Sequence, residues 1–172
     1  MKRFTMMTIC LFVLACLAAT TAWATSPHFV NDSASVSGTT GFLTVSWKEA
    51  GLGNNQNIDY TLSATETAGY DCINGGGNHP SATNKATVTG AVSASGQFNS
   101  GNNGQITESL TVGNPPPGPG NFSCPSGQTL VLGCVSYTDV SLEDTTNSLF
   151  APGISGTFSA TLISVKKGAT CP

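Results

Sequence analysis

The side chains able to do chemistry here are two histidines, His28 and His79, nine carboxylates, six cysteines and abundant serine. A serine hydrolase needs a nucleophile, a base that orients it and an oxyanion hole. The chain has no G-x-S-x-G elbow: Gly153-Ile154-Ser155-Gly156 comes near it without the spacing. Asp71 and His79 could approach across Gly75-Gly76-Gly77, but with this much serine some serine falls near any histidine by chance. Paired carboxylates could support glycoside hydrolysis if they faced each other across a cleft. Glu143 and Asp144 are neighbours and would point to opposite faces of a strand, while Glu49, Glu66 and Glu108 lie in or beside predicted strands. The plain reading of these acids is solvated turn and surface.

Metal chemistry fares no better. Asn55, Asn57, Asp59 and Glu66 follow an EF-hand-like spacing, yet Tyr60 stands where that loop requires glycine. Looser calcium sites around Asp71 to Asn78, or around Glu143, Asp144 and Asn147, rest on asparagines that form turns more often than they bind ions. There is no C-x-x-C pair, and neither histidine sits at ligand spacing from a cysteine. The expectation is a protein without metal or cofactor and without catalysis.

The elements that would position any site begin after residue 24. Lys2 and Arg3, the apolar run from Met6 to Ala19 and the ending Ala22-Trp23-Ala24 read as a secretory signal peptide. The competing lipoprotein reading, Val13-Leu14-Ala15-Cys16, puts Leu14 where that signal takes a small residue. No later stretch approaches the roughly 20 apolar residues of a transmembrane helix. Cleavage leaves residues 25–172 as one domain, with four lysines against nine acidic residues and a net charge of −5. That balance argues against nucleic acid. Cys72, Cys124, Cys134 and Cys171 then form an even set in an oxidising extracellular or periplasmic setting, where disulfides are the default. If strands alternate direction, Cys72 pairs with Cys124, and Cys134 with Cys171 follows by elimination; a reversal at Gly90 would upset that parity.

Short stretches rich in Val, Thr, Leu, Phe and Tyr alternate with clusters of Gly, Asn, Ser and Pro, which predicts an all-β fold. Leu43, Val45 and Trp47 share one face, as do Ile58, Tyr60, Leu62 and Ala64; Ile106, Leu110 and Val112; Leu130, Leu132 and Cys134; and Phe158, Ala160 and Leu162. With a strand over Val30 to Val36, one around Ala86 and Val88, and Val140 and Leu142 in the phase of Leu130, seven to nine strands are expected. Asn99 to Gly104 predicts a hairpin between Phe98 and Ile106, and Pro115 to Gly120 an extended surface loop.

Leu43-Thr44-Val45-Ser46-Trp47-Lys48-Glu49-Ala50 followed by Ile58-Asp59-Tyr60-Thr61-Leu62 resembles the second and third strands of a fibronectin type III or related immunoglobulin-like β-sandwich. The resemblance covers residues 41–64 and implies that Trp47 and Tyr60 are core. The family's tyrosine corner is missing around Pro125 to Thr129, and the chain is longer than a typical module. A likeness to small exported bacterial proteins implies no activity.

The expected function is that of a secreted, disulfide-stapled immunoglobulin-like sandwich acting in surface recognition or as a structural module. A carbohydrate-binding protein is the alternative and a secreted hydrolase the third reading; a glycan or an extracellular protein is the class of partner. The candidate binding residues are Asp71, Asn74, Asn78 and His79 in a loop from Asp71 to Thr83, with a second loop from Asn114 to Ser123, and Tyr70 and Tyr137 on an outer face. Intact mass of the exported protein is expected to give an unlipidated chain starting at Thr25; a diacylglyceryl Cys16 start would overturn it.

Overall fold

The computed structural model describes residues 26–76, 85–113 and 122–162. Eight strands make up the described fold: β1 (His28–Val36), β2 (Leu43–Ala50), β3 (Asn57–Asn74), β4 (Lys85–Asn99), β5 (Ile106–Val112), β6 (Gln128–Asp144), β7 (Leu149–Phe150) and β8 (Phe158–Thr161). No α-helix occurs among the described residues, so none is long and apolar enough to cross a membrane. All pairings are antiparallel. One sheet has the order β1-β2-β5, the other β4-β3-β6, with β7 and β8 both along the far side of β6. The two pack as a sandwich, with the core between them.

The period-two patterns of the sequence sort the side chains as expected. Leu43, Val45 and Trp47 from one sheet and Ile58, Tyr60, Leu62 and Ala64 from the other are buried in a single cluster, joined by Ile106, Val112, Val135, Tyr137 and Leu142. Trp47 is the wedge: its ring centroid lies 4.7 Å from Tyr60 and 5.6 Å from Phe98, so β2 of one sheet grips β3 and β4 of the other. Such pairs add about 0.5–1.5 kcal/mol each beyond the area they bury.

Three local expectations are corrected. Asn99 to Gly104 reverses the chain but forms no hairpin, because β4 pairs with β3 while β5 pairs with β2. The turn, a short 3₁₀ segment Gly101–Asn103, carries the chain from one sheet to the other. The β2–β3 connection crosses at the same end, and buried Ser100 fastens the two: its hydroxyl donates to the Gly53 carbonyl (2.6 Å) and accepts the Gln56 N–H (2.9 Å). Positive-φ residues signal a reversal; which sheet receives the next strand depends on contacts distant in sequence.

The second correction is length. β3 continues past Ala64 to Asn74, so Asp71 and Cys72 are strand residues rather than loop. β4 runs unbroken through Gly90, which pairs with Glu66, so no reversal occurs there. Strand direction is preserved, and Cys72 is bonded to Cys124 with a Cα separation of 5.6 Å.

The third concerns Tyr137. Its parity differs from that of Leu130 and Leu132, which predicts an outer face, yet it is fully buried. β6 carries two one-residue bulges against β3. Tyr70 pairs with Leu132 and Gly69 with Cys134, leaving Gly133 over; Thr65 pairs with Thr138 and Ser63 with Ser141, leaving an extra residue beside Asp139, whose φ is 52°. Each insertion exchanges the faces. Val135 and Tyr137, between the bulges, therefore turn inward, and the second bulge restores Leu142 to the phase of Leu132.

Tyr137 then fastens the opposite sheet. Its hydroxyl donates to the Gly41 carbonyl at 2.7 Å, in the turn between β1 and β2. Gly113, just after β5, has φ +105°, and a Cβ there would collide with the Tyr137 hydroxyl. Tyr137→Phe leaves the buried Gly41 carbonyl without its donor and is expected to cost about 1–3 kcal/mol in urea unfolding. Gly113→Ala, which adds both a clash and a disfavoured φ, is expected to cost more. Wild-type stability in Tyr137→Phe would show that the hydrogen bond contributes nothing.

Candidate functional site

The predicted site residues do not come together on an exposed surface. Tyr70 is buried in β3, and Asp71 beside it has no exposed surface; the Asp71 carboxylate lies 3.8 Å from the Lys85 ammonium on β4. Tyr137 belongs to the core. The structure thus corrects the exposure expected of these three: Tyr70 continues the even-numbered inward run of β3, and the bulges in β6 turn Tyr137 inward. Asn74, at the end of β3, is half-buried and accepts the Gly76 N–H at 3.2 Å, the geometry of an Asx turn. Asn78 and His79 lie outside the described residues, as do Cys171, the signal segment and the proline-rich stretch 115–120. Cys134, opposite Gly69, is disulfide-bonded.

The acids that do meet are Glu49 and Asp144; the sequence placed them, with Glu66, at the surface or in a solvated turn, and the structure corrects this, since all three continue inward strand runs and are buried. Glu49 follows Leu43, Val45 and Trp47 in phase on β2, Tyr60 is an inward residue of β3, and Asp144 follows Leu142 at the end of β6. All three are completely buried. The Tyr60 hydroxyl donates to Glu49 Oε2 at 2.7 Å. Asp144 Oδ1 accepts the N–H groups of Thr146 and Asn147, each at 2.9 Å, and Oδ2 accepts the Asn147 amide at 2.6 Å, closing the turn before β7. Three donors thus converge on the Asp144 carboxyl.

Glu49 has the opposite environment. Burial pushes its carboxyl up from the ordinary 4.5 to about 7; the Tyr60 hydrogen bond works against this, and the Asp144 charge adds to it. Its Oε1 has no N–H or O–H donor among the described residues. The Asp144 carboxyl beside it favours the protonated form of Glu49. The same burial, with Glu49 beside it, raises the Tyr60 phenol well above its usual range, so that hydroxyl remains a donor. Divergent carboxyl environments are the pattern of acid–base catalysis, but these groups are closed from solvent and clasp β2, β3 and β6 together. The signal was available in the strand phases, since positions 49 and 144 continue inward runs.

The surfaces open to a ligand are the outer sheet faces. On the β1-β2-β5 sheet a shallow depression of about 490 Å³ runs over Asn31, Ser33, Ser46, Thr107 and Ser109. On the other sheet a second one, of about 320 Å³, runs over Ser63, Thr65, Ala91 and Ser93 beside Asp139. Asp32, Trp47 and Glu108 also line the first, and Ala64 and Val92 the second. Among the described aromatic residues Phe150 alone is exposed.

No family model, no curated protein and no solved structure matches this chain.

The Glu49 clasp makes stability pH-dependent. The folded state holds the Glu49 proton more tightly than the unfolded chain, so this contribution is complete below pH 4.5, declines as pH rises from 4.5 to about 7 and is gone above it. The loss is on the order of 3 kcal/mol. Urea unfolding from pH 4.5 to 8 is expected to show the decline in the wild type and a flatter profile in Glu49→Gln, whose amide oxygen can still accept from Tyr60 and which does not titrate.

Proposed function

We propose that the protein is an exported, non-catalytic module with an immunoglobulin-like sandwich, working by surface recognition or as a structural unit. The strand order supports the fold family. With β1, β2 and β5 taken as strands A, B and E, and β4, β3, β6 and β8 as C′, C, F and G, the two sheets follow the immunoglobulin plan in which C′ joins the G-F-C sheet. The buried Trp47 and Tyr60 on β2 and β3 fit the same family. The Cys72–Cys124 bridge is compatible with export into an oxidising compartment.

The observation that carries the functional reading is the open depression on the β1-β2-β5 sheet. It offers hydroxyls, one amide and the carboxylates of Asp32 and Glu108 on a rigid, hydrogen-bonded floor, suited to hydrophilic ligands held by many weak contacts. Ser46, exposed at its centre, gives a direct test. The purified protein is to be screened against glycans, cell-wall polymers and co-exported proteins, and Ser46→Arg is expected to weaken any binding found by about tenfold or more, or about 1.4 kcal/mol. Unchanged binding would remove this face from the proposal. Turnover of any screened substrate would overturn the non-catalytic reading.

A further inference from the structure

The two sheets have four outer edges, and three of them carry devices that block pairing with another strand. β1 is bulged at Val30, and its inward-phase Asp32 accepts the Gly153 N–H at 3.0 Å, which holds the segment after β7 across it. A Cβ at Gly153 would displace the Asp32 carboxylate from this contact. β5 is seven residues long and places Glu108 opposite Trp47, a charge on the inward phase that remains exposed. The edge beyond β6 is broken into β7 and β8, of two and four residues.

β4 has none of these devices. It is 15 residues long and pairs with β3 in unbroken register, without a bulge. It contains no proline, and no charged residue occurs from Ala86 to Asn99. Lys85, at its start, is directed to Asp71. No strand among the described residues pairs with its outer side. Its inward residues, Val88, Val92, Ala94 and Phe98 among them, are only half-buried along the whole length, although Val92, Ala94 and Phe98 pack on the core. The apolar face of β4 is therefore incompletely covered along the side where another strand would lie.

We propose that the outer edge of β4 pairs antiparallel with β4 of a second copy of this chain, joining two five-stranded sheets into one across a two-fold axis. A two-fold contact sets identical edges against each other, and this edge brings no like charges together. At roughly 3.4 Å per residue the 15 residues span about 50 Å, and with a layer roughly 10 Å thick the two copies would bury about 1,000 Å² in total. That meets the lower bound of specific association, about 1,000 Å². Edge pairing is independent of the recognition proposed for the β1-β2-β5 face, which lies on the other sheet.

The test is sedimentation velocity of the exported protein over a roughly hundredfold concentration range, combined with amide hydrogen exchange. The wild type is expected to dimerise, with protection rising with concentration at the β4 amides that face away from β3, about half of that strand. A91K/S93K places two lysines on exposed positions of β4 and is expected to weaken dimerisation about tenfold or more. S35K/S155K adds the same charge elsewhere and is expected to leave it unchanged; circular dichroism verifies that each variant is folded. A wild type that stays monomeric overturns the proposal. So does a dimer that survives A91K/S93K, is equally weakened by S35K/S155K, or forms without protection along β4.

Discussion

Everything in this sandwich hangs on one cross-sheet contact, the seating of Trp47 from β2 between Tyr60 of β3 and Phe98 of β4. A tryptophan set between the sheets fixes their spacing and the register of three strands at once. Tyr60 extends the contact into a polar direction, because its ring packs on Trp47 while its hydroxyl donates to Glu49. Buried polar groups are tolerated where they are satisfied, and here that requirement draws in Asp144 and the turn before β7. The apolar core and the acidic clasp are thus one assembly, with the proton on Glu49 as its variable part.

The opposite end of the β1-β2-β5 sheet is held by a different device with the same logic. Tyr137 reaches across to the Gly41 carbonyl only because two bulges in β6 give Val135 and Tyr137 the inward phase. Bulges are often treated as irregularities at edges; in this protein they let β6, a 17-residue strand, serve two portions of core. Between these tyrosine anchors the outer faces are free of structural duty. They carry serine and threonine, often bonded across strands, as between Thr61 and Ser95 or Thr67 and Thr89.

Low charge shapes how such a surface behaves. Only 9% of the residues are charged, so solubility and selectivity must come from hydroxyls, amides and backbone. A sparsely charged, hydroxyl-rich face gives mostly weak, distributed contacts. The same scarcity of charge makes the edge of β4 distinctive, since edge protection in other proteins depends largely on lysine and glutamate.

The sequence by itself determined the all-β class, the inward runs of β2, β3, β5 and β8, the burial of Trp47 and Tyr60 and, through strand parity, the Cys72–Cys124 bridge. Each of these follows from period-two alternation or from counting reversals, which are local properties of the chain. Only the tertiary structure decided that the turn after Asn99 changes sheets, that Tyr137 is core, that β3 runs on through Asp71, and that Glu49 meets Asp144. A bulge is one residue of mismatch between two strands and exists only once they pair. A carboxyl pair separated by 95 positions, from 49 to 144, is invisible until β2 and β6 lie in facing sheets. Alternation says which way a side chain points; only packing says what it meets.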